Sequence, residues 1–229
     1  MTHGTRTVIA RAQLTGLILA GGQGARMGGV DKGLEPLLGR PLVEHAIARL
    51  APQVGHLAIS ANRHIAEYRR YGYPVFSDDA GPMRTASPQT HTDANAPDAT
   101  HAGTPRFSGP LAGIATGLAS IDSDWLLVVP CDAPLFPTDL AARLIEAIEI
   151  SAADLAVAAT IEADGSRQRH PVFALIPRRL AASAAAALDA GAYKLDAWYR
   201  RHNPVEVSFP DSRAFYNANT LRDLRELER

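Results

Sequence analysis

The sequence has little cysteine: Cys131 is the only one among 229 residues. A single thiol cannot form an intramolecular disulfide, and it excludes a cysteine-rich metal site. An excess of charge is missing as well, since the formal net charge is -1 and the isoelectric point is about 6.7. Nucleic-acid-binding domains usually carry a basic surface, so this balance argues against DNA or RNA as a partner.

Long hydrophobic runs are also absent. Each apolar stretch is much shorter than the roughly 20 residues that cross a bilayer, so we expect no contact with a membrane. Residues 1–13 contain no apolar segment of the length found in a secretory signal, and we interpret them as a flexible leader. We therefore expect a cytoplasmic protein in which residues 14–229 form one domain of generous size.

Short apolar runs, rich in β-branched residues, alternate with helical patterns along the chain. This alternation favours an α/β fold with a largely parallel sheet, in which ligands bind beyond the carboxyl ends of the strands. The predicted strands are Gly16–Ala20, His56–Ala61, Pro74–Ser77, Trp125–Pro130, Leu155–Thr160, Val172–Ile176 and Val205–Ser208. The predicted helices are Pro41–Leu50, Leu111–Ser120, Pro137–Ile150, Arg178–Leu188 and Thr220–Leu227.

Residues 80–108 do not fit a packed domain, because they contain almost no large apolar residue before Phe107. Such a segment buries too little surface to offset the entropy lost on ordering, so we predict a mobile insertion. A lid over a site on the sheet edge is the alternative. His91 and His101 lack carboxylate or cysteine partners at metal-ligand spacing, which favours solvated loop histidines.

The strongest chemical signal is Leu17–Lys32, LILAGGQGARMGGVDK, where a short apolar strand leads into a glycine-rich loop. Glycine lacks a Cβ, so the loop backbone can turn tightly and direct its N–H groups at an anion. Arg26 and Lys32 add two positive charges to the same loop. The run predicts a binding site for the phosphates of a nucleotide, with a plain glycine-rich turn as the alternative.

Spacing excludes two common phosphate-binding motifs. A Walker A loop requires Gly-Lys-Ser/Thr after the strand, and none follows here. The dinucleotide fingerprint requires Gly-x-Gly-x-x-Gly, whereas three residues separate Gly24 from Gly28. The loop therefore belongs to neither a P-loop protein nor a dinucleotide-binding dehydrogenase.

The second signal is Asp124–Leu135, DWLLVVPCDAPL, in which an apolar strand leads to Asp132. A carboxylate at a strand end is a suitable ligand for Mg²⁺ beside a triphosphate, because Mg²⁺ takes only one or two protein carboxylates. Capping of the following helix is the alternative role. Cys131 has no histidine nearby in the sequence, and we expect a buried structural thiol.

Two asparagines, Asn217 and Asn219, precede the last predicted helix. An asparagine oxygen can ligate Mg²⁺, and its amide can hold a phosphate or the edge of a pterin. Capping of the helix by Asn219 is the alternative.

With these motifs the chain resembles the molybdenum cofactor guanylyltransferases, the MobA family. The similarity runs in order from about residue 14 to the C-terminus, apart from the segment around residues 80–107. The glycine run ending in Met-Gly-Gly-Val-Asp-Lys is typical of the guanylyl branch. The matching segments are LAGGQGARMGGVDKGL at Leu19–Leu34, GRPL at Gly39–Leu42, ANRH at Ala61–His64, SGPLAG at Ser108–Gly113, PCDAPL at Pro130–Leu135, RHP at Arg169–Pro171 and NAN at Asn217–Asn219.

The resemblance implies a three-layer α/β fold, nucleotide-diphospho-sugar-transferase-like (Rossmann-like), with a mostly parallel mixed sheet. It implies that one nucleotidyltransferase domain transfers GMP from GTP to molybdenum-molybdopterin, giving the guanine dinucleotide cofactor and pyrophosphate with Mg²⁺ as cofactor. No side-chain nucleophile is needed, because the attacking phosphate is already anionic. The alternatives are a relative that uses CTP or another phosphate acceptor, and a nucleotide-binding regulator without turnover.

The resemblance also implies roles for residues by position. The catalytic residues are Lys32, Arg26 and Asp132, with Asp132 as the metal ligand. The nucleotide-binding residues are Leu19, Ala20, Gly21, Gly22, Lys32, Ser60, Asn62, Asp78 and Asp132. The molybdopterin-binding residues are Arg169, His170, Lys194, Asn217 and Asn219.

Three of these assignments keep an alternative. Ser60 stands where the family often has asparagine, so Asn62 is a second candidate for contact with the base. Asp78 is matched to an acid that can accept from guanine, but with Asp79 it also reads as an acidic turn. His170, before Pro171, is otherwise a residue at the start of a strand.

The implied partners are GTP and molybdenum-molybdopterin as substrates, with transient contacts to other molybdenum cofactor proteins. We expect a monomer that binds neither nucleic acid nor membrane.

Overall fold

A computed structural model describes residues 9–20, 31–78, 109–162, 164–218, 220 and 222–223. The predicted loop residues Gly21, Gly22 and Arg26 lie outside this part of the chain, and so does Asn219. The whole predicted insertion, residues 80–108, and most of the last predicted helix, Thr220–Leu227, also lie outside the described residues.

Seven strands of the described chain form one sheet in the order β5-β4-β1-β6-β8-β7-β9, and β2 pairs with β3 in a separate hairpin. Strand β8 runs antiparallel to both of its neighbours, and the other pairs in the large sheet are parallel. The predicted α/β fold with a mostly parallel mixed sheet is therefore confirmed. The strands are β1 Leu14–Leu19, β2 Pro36–Leu37, β3 Arg40–Pro41, β4 His56–Ser60, β5 Val75–Phe76, β6 Trp125–Pro130, β7 Leu155–Ile161, β8 Arg167–Pro177 and β9 Pro204–Phe209.

Helices cover both faces of the sheet: α1 Leu42–Leu50, α2 Ile65–Arg69, α3 Pro110–Ser120, α4 Leu140–Ser151, α5 Ala181–Asp189 and α6 Leu195–Tyr199. The predicted helix Pro137–Ile150 begins later, at Leu140, and the predicted helix Arg178–Leu188 starts with a 3₁₀ turn. Helices α2 and α6 were missed because five residues are too few to show a helical period. No described helix has the length and apolarity needed to span a bilayer.

Two cores form because successive residues of a strand point to opposite faces. Ile18 packs with α1 and α4 on one face, whereas Leu17 packs with α3, α5 and α6 on the other. Trp198 of α6 is 2% exposed and fills the second core. A large apolar side chain buried this completely contributes about 1.5–3 kcal/mol. The sheet is therefore held rigid from both sides, and its carboxyl edge is left to carry polar residues.

Residues 9–13 belong to the predicted flexible leader, but they are packed against the domain. Arg11 donates hydrogen bonds from Nε to the Val54 carbonyl (2.8 Å) and from Nη2 to the Ala51 carbonyl (3.1 Å). The Ile9 amide donates to Glu149 Oε1 at 2.9 Å. The length of an apolar segment does not reveal such anchoring, because the anchoring depends on polar contacts with residues far along the chain.

Strand β8 is longer than the predicted strand Val172–Ile176, because its first four residues are polar and do not read as a strand. Its pairing with β7 shifts at a bulge: Val157 lies opposite Ala174, but Ala158 lies opposite His170. Pro171 lies within the shifted stretch, where a residue without an N–H donor is tolerated. Since β8 is antiparallel, this polar beginning lies at the carboxyl ends of its neighbours.

Candidate active site

The carboxyl ends of β1, β4 and β6 lie side by side. The Ala20 amide donates to the Ser60 carbonyl at 2.8 Å, and the Cys131 amide donates to the Leu19 carbonyl at 3.0 Å. These bonds bring the predicted nucleotide residues Leu19, Ala20 and Ser60 next to the strand end that carries Asp132. The fold therefore assembles the predicted site from segments more than 100 residues apart.

Lys32 and Asp132 meet at this edge. Lys32 Nζ lies 3.4 Å from Asp132 Oδ2, and the two side chains are 20% and 19% exposed. Burial raises the pKa of Asp132, while the Lys32 ammonium group acts in the opposite direction and lowers it. The arrangement gives a partly desolvated cation and carboxylate, which is suited to binding phosphate and a hard metal ion together.

The turn that carries Lys32 is anchored by its neighbour Asp31. Asp31 is 6% exposed and precedes the 3₁₀ helix Lys32–Leu34. Its Oδ1 accepts hydrogen bonds from the Tyr68 hydroxyl (2.6 Å) and the Gly33 amide (3.2 Å), and its Oδ2 accepts from His64 Nδ1 (2.9 Å). No local sequence pattern predicts this cluster. Asp31 and His64 lie in the segments Met27–Lys32 and Ala61–His64, but no local spacing connects those segments.

Gly33 packs against the same cluster. A Cβ at this position would overlap the Tyr68 hydroxyl and lie 3.2 Å from Tyr68 Cζ and 3.4 Å from Cys131 Sγ. Tyr68 is fully buried, so its ring has little room to move.

We expect Gly33→Ala to lower the free energy of unfolding by about 1–3 kcal/mol, because the added methyl group overpacks this site. Urea unfolding measures the loss. In a Tyr68→Phe background the penalty of Gly33→Ala should shrink, since the overlapping oxygen is gone. An equal penalty in both backgrounds would contradict the overlap as its cause.

Cys131 lies beneath the Lys32 turn as a buried thiol, 5% exposed. Burial raises its pKa well above the usual range, and the nearby carboxylates of Asp132 and Asp31 add to the shift. A protonated thiol is a poor nucleophile. The prediction of a buried structural cysteine is confirmed.

Asn62 holds Asp78 at the end of β5. Asn62 Nδ2 donates to Asp78 Oδ2 at 2.8 Å, and Asn62 Oδ1 accepts from the Asp78 amide at 2.8 Å. Ser60 lies elsewhere: it is 3% exposed, and its Oγ lies 2.7 Å from the point where a Cβ on Gly113 of α3 would stand. Of the two candidates for the base pocket, Asn62 orients Asp78, whereas Ser60 packs under α3.

Arg169 and His170, the two molybdopterin-binding candidates on β8, lie on opposite faces of the sheet, as adjacent strand residues do. Arg169 Nη1 donates to Asp196 Oδ1 of α6 at 3.0 Å, and Arg169 Nη2 forms a second ion pair with Glu206 of β9. The hydrogen bond with Asp196 is the main reason that the pKa of Arg169 is raised. Lys194 is exposed and immediately precedes α6, on the side of Arg169.

His170 packs on the other face. Its ring stacks on Phe215 with centroids 4.6 Å apart, and Nε2 lies 2.9 Å from Thr160 Oγ1. The Thr160 hydroxyl donates its one hydrogen to Glu162 Oε1 at 2.8 Å, so it accepts from His170 Nε2. Burial lowers the pKa of His170. A neutral ring with its proton on Nε2 leaves Nδ1 as a hydrogen-bond acceptor.

The predicted asparagine segment is joined to the metal-ligand candidate. The Ala218 amide donates to the backbone carbonyl of Asp132 at 2.7 Å, which brings the exposed Asn217 beside the end of β6. Asn219 lies outside the described residues. Within the described residues, no group of three or more His, Cys, Asp or Glu side chains could hold a metal.

Comparisons with known proteins agree with this geometry. Residues 16–205 match the family model described as "MobA-like NTP transferase domain". The chain is 45% identical to the molybdenum cofactor guanylyltransferase of Cupriavidus necator over 221 residues, covering 96% of this chain and 99% of that protein. It is also 45% identical to the protein of the same name from Ralstonia nicotianae, covering 96% of this chain and 98% of that one.

Solved structures share the fold at low identity. Molybdopterin-guanine dinucleotide biosynthesis protein A from Archaeoglobus fulgidus has a TM-score of 0.67 at 19% identity, covering 93% of this chain and 96% of that chain. The 2-C-methyl-D-erythritol 4-phosphate cytidylyltransferase of Thermus thermophilus has a TM-score of 0.64 at 14% identity, with the same coverage. These likenesses confirm the nucleotide-diphospho-sugar-transferase-like fold. The family model and the two close relatives show that the chain belongs to the molybdenum cofactor guanylyltransferases, a family of MobA-like nucleotidyltransferases.

Proposed function

We propose that this protein transfers GMP from GTP to molybdenum-molybdopterin, forming molybdopterin guanine dinucleotide cofactor and pyrophosphate. The observation that carries the proposal is the pair Lys32 and Asp132, 3.4 Å apart at the carboxyl edge of the sheet, in a chain of this family. A cation and a metal-binding carboxylate are what transfer between phosphates requires, since this chemistry depends on positioning and charge neutralisation.

Charge on the triphosphate would be neutralised by two cations. Lys32 meets the phosphates from its anchored turn, and Arg26 supplies a second cation from the glycine-rich loop, whose Gly21 and Gly22 would offer backbone N–H groups. Both cations stabilise the charge that develops on the departing pyrophosphate. The terminal phosphate of molybdopterin attacks the α-phosphate directly, so no general base is assigned.

Asp132 fits a magnesium site. Its carboxylate would provide a hard oxygen ligand, and the amide oxygen of Asn217 would provide a second one of the same chemistry. Mg²⁺ usually keeps several waters and binds through one or two carboxylates together with substrate phosphates, so a larger acidic cluster is not needed. Bound there, the ion would supply neutralisation of phosphate charge.

Guanine would lie against the backbone of Leu19 and Ala20, with Asp78 reading its edge. A carboxylate can accept hydrogen bonds from both guanine N1–H and the exocyclic amine, a pattern that cytosine does not offer. Asn62 fixes the orientation of Asp78 through the two bonds between them.

We expect Asp78→Asn to lower kcat/KM for GTP by roughly 10- to 100-fold, because two charge-assisted hydrogen bonds to the base are weakened. The ratio of GTP to CTP turnover should fall with it. Initial rates with each nucleotide measure this effect. Asp122→Asn provides a matched control. Asp122 is exposed and lies before the first residue of β6, at the end of that strand remote from the site. An unchanged ratio in Asp78→Asn would contradict base recognition by Asp78.

The acceptor substrate would bind beside the polar beginning of β8. Lys194 is the exposed cation for its phosphate, and Arg169 is held by Asp196 and Glu206 as a fixed charge nearby. From the other face of β8, His170 Nδ1 would accept from a pterin N–H group at the sheet edge, and Asn217 and Asn219 would add amides there. These assignments extend the family resemblance to this chain's own residues.

Pyrophosphate release tests the proposal. The purified protein with Mg²⁺, GTP and molybdenum-molybdopterin should release pyrophosphate, and GTP should be preferred over CTP. No release would contradict the proposal, and a preference for CTP would assign the protein to the cytidylyl reaction. Tight GTP binding without release would indicate a regulator.

The setting of the reaction is proposed on the same basis. We expect a monomer that acts in the cytoplasm and contacts other molybdenum cofactor proteins transiently. Light scattering of the purified chain measures the mass, and a stable dimer would contradict the expectation.

A further inference from the structure

We propose that Asp31, Tyr68 and His64 are positioning residues that hold Lys32 against the triphosphate. This inference rests on the role of Lys32 given under the proposed function. Lys32 touches the substrate in that scheme, and the other three residues act through it.

The contacts converge on one carboxylate. Both oxygens of Asp31 are engaged: Oδ1 with the Tyr68 hydroxyl and the Gly33 amide, and Oδ2 with His64 Nδ1. Hydrogen bonds to an ionised acceptor are shorter and stronger than neutral ones, and the 2.6 Å bond from Tyr68 is of this kind. The backbone on both sides of Lys32 is therefore fixed, since Asp31 and Gly33 are its direct neighbours.

Burial of Asp31 is costly unless the carboxylate is fully hydrogen-bonded. At 6% exposure it needs these donors, and two of the three, Tyr68 of α2 and His64 before it, come from a different part of the chain. A turn held only for packing would not require a carboxylate. Here the carboxylate immediately precedes the cation of the site, and it connects the turn of that cation to the buried Tyr68 of α2.

His64 adds a sign of strain. Its φ of 48° places it in the left-handed region, which is uncommon for a residue with a side chain. Such strain persists where surrounding contacts maintain it, and it concentrates at functional sites. The strained residue is two positions from Asn62, which holds Asp78. One short loop, residues 61–64, therefore contacts both Asp78, the residue proposed to bind guanine, and the turn that carries Lys32.

A double-mutant cycle tests whether the effect passes through Lys32. Tyr68→Phe removes one hydroxyl, and we expect kcat to fall about 10- to 100-fold, as a small misplacement of a catalytic group can cause. In a Lys32→Ala background the same change should cause little further loss in kcat or in affinity for a fluorescent GTP analogue. Tyr71→Phe is the matched control, because that hydroxyl is not bonded to Asp31, and it should leave both quantities unchanged.

His64 allows a rescue experiment. His64→Ala removes the donor to Asp31, and kcat should fall. His64→Asn should restore part of it, because asparagine tolerates the left-handed region and offers an amide donor. Circular dichroism and thermal unfolding confirm that each variant is folded.

Several results would overturn the inference. Wild-type turnover by Tyr68→Phe and Asp31→Asn would do so, as would equal losses in the presence and absence of Lys32, which would assign the cluster to stability alone. Failure of the proposed function gives a different pattern: the wild-type protein itself releases no pyrophosphate. In that case the cycle on GTP-analogue affinity still decides the matter, since independent losses there overturn the positioning role.

Discussion

Replacing Asp132 with asparagine is expected to reduce kcat by roughly a hundred- to a thousandfold, the largest effect expected from one side-chain change in this protein. Asparagine has the same shape, and the bond from the Ala218 amide goes to the Asp132 backbone, so the fold is retained. The change removes the charge that would hold the metal and that partners Lys32. Initial rates of pyrophosphate release measure the loss.

The matched control is Asp139→Asn. Asp139 is exposed before α4, makes no side-chain cap and is none of the residues assigned to the site. The Asp139→Asn variant should release pyrophosphate at the wild-type rate. A Mg²⁺ titration separates the roles of Asp132, because a lost metal ligand raises the concentration needed for half-maximal rate. Unchanged rates and an unchanged Mg²⁺ requirement in Asp132→Asn would contradict its assignment as the metal ligand.

The positions of Lys32 and Asp132 could be predicted because each lies at a strong local signal. The strand β6 is fully apolar and was predicted with the bounds that the structure has, so its end delivers Asp132 to a known edge of the sheet. The same rule places Leu19 and Ala20. Their convergence then follows from the parallel order of the strands, in which β1 lies between β4 and β6.

The Asp31 cluster could not be predicted in this way. Its members are 33 and 37 residues apart along the chain, and α2, which carries Tyr68, has only five residues. Hydrogen bonds between distant irregular segments leave no periodic pattern in the sequence. Asp31 and His64 belong to segments that resemble the family, but the resemblance does not explain what either side chain contacts.

The molybdopterin candidates illustrate a second limit. Arg169 and His170 are adjacent in the sequence and read as one motif, yet the strand sends them to opposite faces. Arg169 faces α6 and is paired with Asp196, whereas His170 stacks on Phe215. A motif shows which residues are adjacent in the chain, and the pleat of the strand decides from which face of the sheet each side chain approaches a ligand at the edge.

The two lysines of the chain, Lys32 and Lys194, allow a matched comparison of the two substrate sides. Lys32→Met keeps the aliphatic stem and removes the charge. We expect kcat to fall by roughly a hundredfold and KM for GTP to rise, because a preorganised cation opposite the triphosphate is lost. Steady-state rates with each substrate varied in turn measure both constants.

Lys194→Met should behave differently, because Lys194 is exposed before α6, the helix that contacts Arg169, whereas Lys32 is paired with Asp132 at the end of β6. Screening by solvent limits its contribution, so we expect up to about a tenfold rise in KM for molybdenum-molybdopterin. Affinity for GTP should stay at the wild-type level. If Lys194→Met weakened GTP binding and Lys32→Met did not, the assignment of the triphosphate to the edge formed by β1 and β6 would be wrong. Since the two substitutions remove the same charge, the pattern of their effects reports where each lysine lies and how strongly solvent screens it.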